Sequence, residues 1–349
     1  MASGPVSDSH PREHDDRELA DDALPPVEPP TAGFLLQLFF IPLLIVGIIV
    51  LVFFSFSWLS QSETDLEKVV EQLEKGGTGT WSKALVLADL MREPRYESKK
   101  SDPKLAQRLG GVLKASIDGN LQDEESLKLR FYLARACGEF RVIDPLPSLI
   151  VAATTERSPG EKEVRVAALE GLAVLTGNNP IDQVLANPDL LPAIDKALHE
   201  KAEVGNPDDV NAKLRERAVF LLGVIGQEKQ IEQLAQFVQD PFPNVRYNAA
   251  LGLARQGDLR ALPVLLDMLD PDNAEVIKGE VKEAQKQWKR ESVAFNALKA
   301  VSKLVEKQPQ ADYSAAEKVL TRLRESEVGG QLRAAAGDVL FGLPKPMAK

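Results

Sequence analysis

The chain has 349 residues, a formal net charge of −10, one cysteine and three histidines. A lone cysteine excludes an intrachain disulfide, and the histidine shortage argues against a metal centre or a histidine-based acid–base pair. The acidic balance lacks the basic footprint that nucleic-acid binding requires, so no nucleic-acid partner is expected.

Residues 1–60 carry two basic and eight acidic side chains, a charge of −6, which leaves −4 for the remaining 289 residues. Residues 1–32 combine Pro, Asp and Glu with few large apolar groups. Such a segment cannot bury enough surface to offset the entropy of ordering, and it reads as a disordered acidic tail. PPVEPP at 25–30 is expected to be locally extended.

Residues 29–62 contain no charge, and 34–58 read FLLQLFFIPLLIVGIIVLVFFSFSW. A bilayer core about 30 Å thick needs about 20 apolar residues in a helix. A transmembrane helix over 33–59 is therefore predicted, with membrane contact through 34–58. A cleaved signal peptide fits poorly: the leader is acidic, the apolar run is too long, and Ser57-Trp58-Leu59-Ser60 is a poor cleavage site. Pro42 and Gly47 are tolerated inside a span, and Trp58 suits its interface. Arg12 and Arg17 before the span balance Lys68 and Lys75 after it, so basic residues do not set the orientation. A short tail ahead of a single span favours a cytoplasmic tail and a following domain on the outer side.

Residues 60–80 read as a juxtamembrane amphipathic helix and linker, the helix either continuing from the membrane helix or capping the domain behind it. Thr64 with Glu67 has capping-box spacing, Leu66, Val69, Val70 and Leu73 form one apolar stripe, and Gly76-Gly77 closes the helix. From Trp81 onward the periodicity is helical, and no stretch alternates as a strand does. The fold class expected is all-α.

Internal repetition then organises the chain. The clearest unit is DPFPNVRYNAALGLARQGDLRALPVLLDMLD at 240–270. It reads as a turn, a helix with small residues on one face, a break at Gln256-Gly257-Asp258, and a second helix. Counting from Arg246, apolar or small residues fall at +3, +4, +6 and +7: Ala249, Ala250, Gly252 and Leu253. The same spacing follows Arg130, Arg165, Arg215 and Arg333, and, without the arginine, Trp81 and Glu291. Second helices open with a Leu-Pro step in DPLPSLIVAA (144–153), LLPAIDKAL (190–198) and LPVLLDML (262–269), where a proline in the first turn removes no helical hydrogen bond. Small residues allow close helix approach, and stacking buries what one hairpin cannot.

This pattern resembles the HEAT-repeat family, in particular the short HEAT-like repeats of the phycobiliprotein-lyase type. The resemblance rests on Asp240, Pro241, Val245, Arg246, Ala249, Ala250, Gly252 and Leu253, with the Arg-plus-Ala pattern at 165, 215 and 333. It implies an α-solenoid of about seven helical hairpins over 81–343, with a tail at 344–349. Anchors 31 to 50 residues apart depart from a strict array, so inserts are expected around 199–211 and 272–290. The second insert reads as an extension of the sixth repeat's first helix. The resemblance also implies that Arg130, Arg165, Arg215, Arg246 and Arg333 form a structural ladder, each pairing with acids or carbonyls of the neighbouring repeat.

No catalytic motif is present: GxxxxGK[ST], HExxH, CxxC and GxSxG are all missing. Deoxyhypusine hydroxylases, which the repeat also resembles, bind two irons through several His-Glu pairs; this sequence has His199-Glu200 alone. HEAT-like DNA glycosylases need a basic groove, and the basic cluster Lys282, Lys286, Lys289 and Arg290 is interleaved with acids as on a solvated face. Cys137 falls at an apolar helical position, as a small buried hydrophobe would. The sequence expectation is therefore no enzyme, no cofactor and no metal. The function expected is a membrane-anchored scaffold presenting a concave surface to a protein or peptide partner, with Trp288 and Tyr313 as interface anchors. The alternative is an accessory or lyase- or chaperone-like subunit acting on a cofactor or a membrane enzyme. One pocket with clustered polar and titratable groups would favour that alternative, and a broad pocket-poor groove the scaffold.

Overall fold

The computed structural model describes residues 31–60, 65–206 and 209–344. The acidic tail, residues 61–64 and the last five residues lie outside the described residues. Every regular element among those described is helical. The chain divides into two units, one ending at Thr64 and the other beginning at Asp65.

In the first unit, α1 (Ala32–Ser60) is one continuous helix of 29 residues that contains Pro42. Its Leu36–Ser55 portion is long and apolar enough to cross a membrane. The proline sits without ending the helix, as happens where surrounding groups compensate the lost N–H.

The second unit contains α2 (Leu66–Lys75), α3 (Thr80–Leu90), α4 (Pro103–Asp118), α5 (Glu124–Gly138), α6 (Leu146–Thr154), α7 (Glu161–Asn178), α8 (Ile181–Leu185) and α9 (Leu190–Leu198). It continues with α10 (Val210–Ile225), α11 (Glu228–Ala235), α12 (Pro243–Gln256), α13 (Leu262–Leu269), α14 (Glu283–Lys307), α15 (Ser314–Glu325) and α16 (Gly330–Gly342). The helix ends follow local chemistry. Asp65, Asp102, Asp123 and Asp209 each accept backbone N–H groups at the start of α2, α4, α5 and α10, satisfying donors that have no helical partner. Gly226 and Gly257 close α10 and α12 in the left-handed conformation, φ 62° and 83°.

All seven repeat anchors fall on α3, α5, α7, α10, α12, α14 and α16, and these helices stack in chain order as one layer. The layer runs parallel. Arg130 meets Glu161 near the N-terminal ends of α5 and α7, and Gly138 meets Gly171 further along both. The second layer is continuous through α2, α4, α6 and α9, thins at α11, whose main neighbours are α10 and α12, and resumes with α13 and α15. Its members pair with the first layer as α2–α3, α4–α5, α6–α7, α9–α10, α11–α12, α13–α14 and α15–α16. A single apolar core lies between the layers, where Leu133, Leu169, Leu222, Leu253, Val301 and Ala336 are each at most 1% exposed.

Two local expectations need correction, the cap of the first short helix and the insert at 272–290. The first short helix is capped by Asp65 rather than by Thr64, which lies outside the described residues, because the helix begins at Leu66 and places Glu67 in its first turn. Of the two alternatives for that helix, it packs on the domain behind it, as the first member of the second layer: Leu66, Val70 and Leu73 are buried, and Glu74 and Glu67 pair with Arg108 and Lys99. The insert at 272–290 is helical only from Glu283. A short turn, Ala274–Ile277, and Gly279 at φ 88° precede it, since a left-handed glycine breaks helical phase.

Candidate functional site

The arginines of the repeat sit one each in the first half of α5, α7, α10, α12 and α16, and α3 and α14 carry Trp81 and Glu291 at that position. Arg130 is 1% exposed, and its Nη1 donates to Glu161 Oε1 at 2.6 Å while Nε donates to the Ser126 carbonyl at 3.2 Å. Glu161, also 1% exposed, accepts further bonds from the Arg157 backbone and guanidinium and from Gln122 Nε2. Burial alone would raise the Glu161 carboxyl. The donors from Arg157 and Gln122 outweigh it and bring the group down to about 2.

Arg165 is fully buried and bridges three groups: the Ala153 carbonyl at 3.0 Å, Glu156, and Glu200 at 2.6 Å. Arg215 pairs with Asp240, whose other role is to accept the Phe242 N–H at 2.9 Å. Arg246 donates Nη1 to the Asp240 carbonyl at 2.7 Å and Nη2 to Glu275 at 2.5 Å. Glu161 opens α7 and Asp240 directly precedes α12, whereas Glu200 follows the end of α9 and Glu275 lies in the short turn Ala274–Ile277 between α13 and α14. Arg333 differs: it is exposed on α16 and has no partner among the described residues.

Because the Arg246 fork holds two acceptors from two segments, Arg246→Lys should retain one of them at most. The expected result is a loss of about 1 kcal/mol, read as a lower melting temperature by circular dichroism. An unchanged melting temperature would remove Arg246 from the structural ladder.

Beside this ladder lies a cavity of about 360 Å³ at the start of α10, α12 and α14. Lys213, Glu216 and Arg217 face it from α10, Phe242 and Asn244 from the start of α12, and Glu275, Lys278, Glu280 and Lys289 from the segment before α14 and its first turns. Most charges are paired. Glu216 holds Arg217, Glu280 holds Lys289 at 3.1 Å, Glu275 holds Arg246, and Lys213 is 3.9 Å from Glu163. Lys278 is exposed and has no ion-pair partner among the described residues, and Arg217 Nε is buried without an acceptor. The cavity thus offers hydrogen-bond donors to a polar or anionic ligand group. A second cavity, about 520 Å³, is apolar: Leu73, Val112, Leu121 and Leu129 line it next to the Arg108–Glu74 pair, and Leu121 is 62% exposed.

Neither cavity holds a histidine or a cysteine. His199 is exposed, with Nδ1 2.8 Å from the Asp195 carbonyl, and no group of three metal-ligating side chains occurs among the described residues. Cys137 is fully buried, and burial pushes its thiol well above the ordinary range. Trp288 stands 71% exposed on α14. Tyr313 does not: it is 4% exposed, its hydroxyl donates to the Gln308 carbonyl at 3.1 Å, and it belongs to the core rather than to a surface. Its position just ahead of α15 turns the ring inward over the α14–α15 turn.

Sequence reasoning missed the cavity at α10, α12 and α14 and the identity of the ladder's acids. A signal for the acids was present. An Asp or Glu recurs 25 to 35 positions after each paired arginine, as Glu161, Glu200, Asp240 and Glu275.

No curated protein matches the chain. The solved complex of CpcE and CpcF of phycocyanin lyase from Nostoc sp. PCC7120 resembles it at 18% identity, covering 80% of this chain and 95% of that one, with a TM-score of 0.47. That structure is of a lyase, which corrects the expectation, drawn from missing catalytic motifs, that the present chain is not an enzyme. Residues 207–286 match the family of HEAT repeats. The stacked helical pairs of this segment, α10–α11 and α12–α13 among them, are therefore HEAT repeats.

Proposed function

We propose that the chain is a membrane-anchored HEAT-repeat scaffold that presents a repeat surface to a protein or peptide partner. The observation that carries this reading is the sequence of elements: a helix able to cross a membrane, Leu36–Ser55, is followed after α1 by only four residues, 61–64, before the repeat unit begins. A solenoid holds many side chains in a fixed line, which suits it to bind extended or helical partners. In this reading residues 1–32, 33–59, 60–80 and 81–343 act as tail, anchor, link and binding unit, with the repeats on the outer side of the membrane.

A second reading has its own observation. The cavity beside α10, α12 and α14 collects Lys213, Glu216, Arg217, Glu275, Lys278, Glu280 and Lys289, a density of charge suited to a defined polar ligand. It favours an accessory or lyase- or chaperone-like subunit acting on a cofactor or a membrane enzyme.

Two experiments separate these readings. Carbonate extraction of membranes should leave the full chain in the pellet, and its release would remove the anchor. A photoreactive amino acid at Trp288, and separately at Lys278, should then be irradiated in intact membranes. The scaffold reading expects a polypeptide adduct at Trp288, whereas a small-molecule adduct confined to Lys278 supports the second.

A further inference from the structure

Among the described residues α16 is the last helix, and none of them packs on its outer face. Terminal repeats ordinarily turn a polar face to solvent. On α16 the outward residues are instead Gly330, Ala334, Gly337 and Phe341, flanked by Arg333 and Asp338. Phe341 is 95% exposed, while Leu332 and Ala336 on the opposite side are buried.

The repeat spacing gives this face its meaning. Gly138 and Gly223 stand eight positions after Arg130 and Arg215, and each meets a glycine of the next first-layer helix, Gly171 or Gly252. On α16 that same position is Phe341, and the ladder position is Arg333, which has no partner among the described residues. The groups that elsewhere join one helix to the next are therefore displayed with nothing against them among the described residues.

We propose that this face pairs with α16 of a second copy of the chain, the two helices parallel and related by a two-fold axis along them. The spacing has the form of a parallel two-stranded seam. Gly330, Ala334, Gly337 and Phe341 alternate three and four apart, as d, a, d and a positions do. Arg333 and Asp338 then fall at g and e. In a parallel pair a g residue faces the e residue five positions further along its partner, so Arg333 of each copy meets Asp338 of the other. Both are exposed and unpaired among the described residues, and the symmetry uses each of them once. Parallel packing is also the geometry in which α5 meets α7. The two copies' Phe341 rings close the seam at its C-terminal end, and Gly337 and Ala334 let the backbones approach.

The test uses the full chain in detergent micelles. Gly337→Cys places a thiol on the seam axis, and there is room for it, since the nearest neighbour of an added Cβ is Arg324 Cδ at 3.8 Å. The native Cys137 is buried and silent. Mild copper-phenanthroline oxidation should give a disulfide-linked dimer from Gly337→Cys and not from Lys318→Cys, which is exposed on α15. Arg333→Asp and Asp338→Arg should each weaken self-association about tenfold by sedimentation, and the double reversal should restore it. Phe341→Ser should weaken it further while leaving the melting curve unchanged. Four results would each overturn the pairing: a single monomeric mass at all concentrations, equal cross-linking at 337 and 318, a double reversal no better than the single ones, or the Gly337→Cys thiol joined to a different polypeptide.

Discussion

Gly171→Ala should destabilise the repeat unit by about 3 kcal/mol, near the upper end of what overpacking one methyl group costs. The reason is backbone against backbone. A Cβ at Gly171 would stand 2.6 Å from the Ala134 carbonyl oxygen and 3.2 Å from Leu149, and a Cβ at Gly138 would stand 2.5 Å from the Gly171 Cα. No flexible side chain can move aside on the Ala134 side, so α5 and α7 must separate. The paired control has the opposite sign. Gly111, exposed within α4, has nothing within 4 Å of an added Cβ, so Gly111→Ala should raise stability by about 0.5–1 kcal/mol through helix propensity. Chemical denaturation of both variants measures the two effects. A Gly171→Ala protein as stable as the parent would mean that α5 and α7 do not approach as described.

Glu161→Gln should cost about 3 kcal/mol at neutral pH and almost nothing near pH 2. The carboxyl is held at about 2 against an ordinary 4.5, so the native state prefers the ionised form more than the unfolded chain does. Stability from this group is fully present above about pH 5 and disappears as pH falls through 2, where the native carboxylate takes up its proton. Replacement by the neutral amide leaves Arg130, 1% exposed, facing no anion at any pH. The difference in melting temperature between parent and variant should therefore shrink steadily from pH 7 to pH 2. A constant difference across that range would show that Glu161 acts by shape and not by charge.

Much of this architecture was legible in the residues themselves. The charge-free run at 29–62 and the spacing of small residues after Arg130, Arg165, Arg215, Arg246 and Arg333 are strictly local patterns, and local patterns of period 3.6 determine helices and their buried faces. Asp102, Asp123 and Asp209 place the helix starts by the same local logic. The arginine spacing also contained the register of α5, α7, α10 and α12, because an arginine at the same position of each implies an equivalent junction at each.

What only the tertiary structure decided concerns partners far apart along the chain. Arg130 finds Glu161 at a separation of 31 residues, Arg165 finds Glu200 at 35, and Arg246 finds Glu275 at 29. Loops of differing length carry those acids, so no fixed spacing could name them. Tyr313 and Trp288 are both aromatic residues on or beside polar helical segments, yet one is in the core and the other in solvent. Their burial depends on how α14 and α15 turn against each other, not on their neighbours in sequence. The choice between α2 continuing the membrane helix and α2 covering the repeat unit was likewise left open, because an amphipathic stripe states that a face must be covered and not what covers it. The cavity at α10, α12 and α14 arises where three helix starts and two inserts converge, and a sequence records none of that convergence. Helix position and face are set by short-range periodicity, whereas pairing, burial and cavities are set by packing between segments, and that division explains which features of this protein its sequence determined.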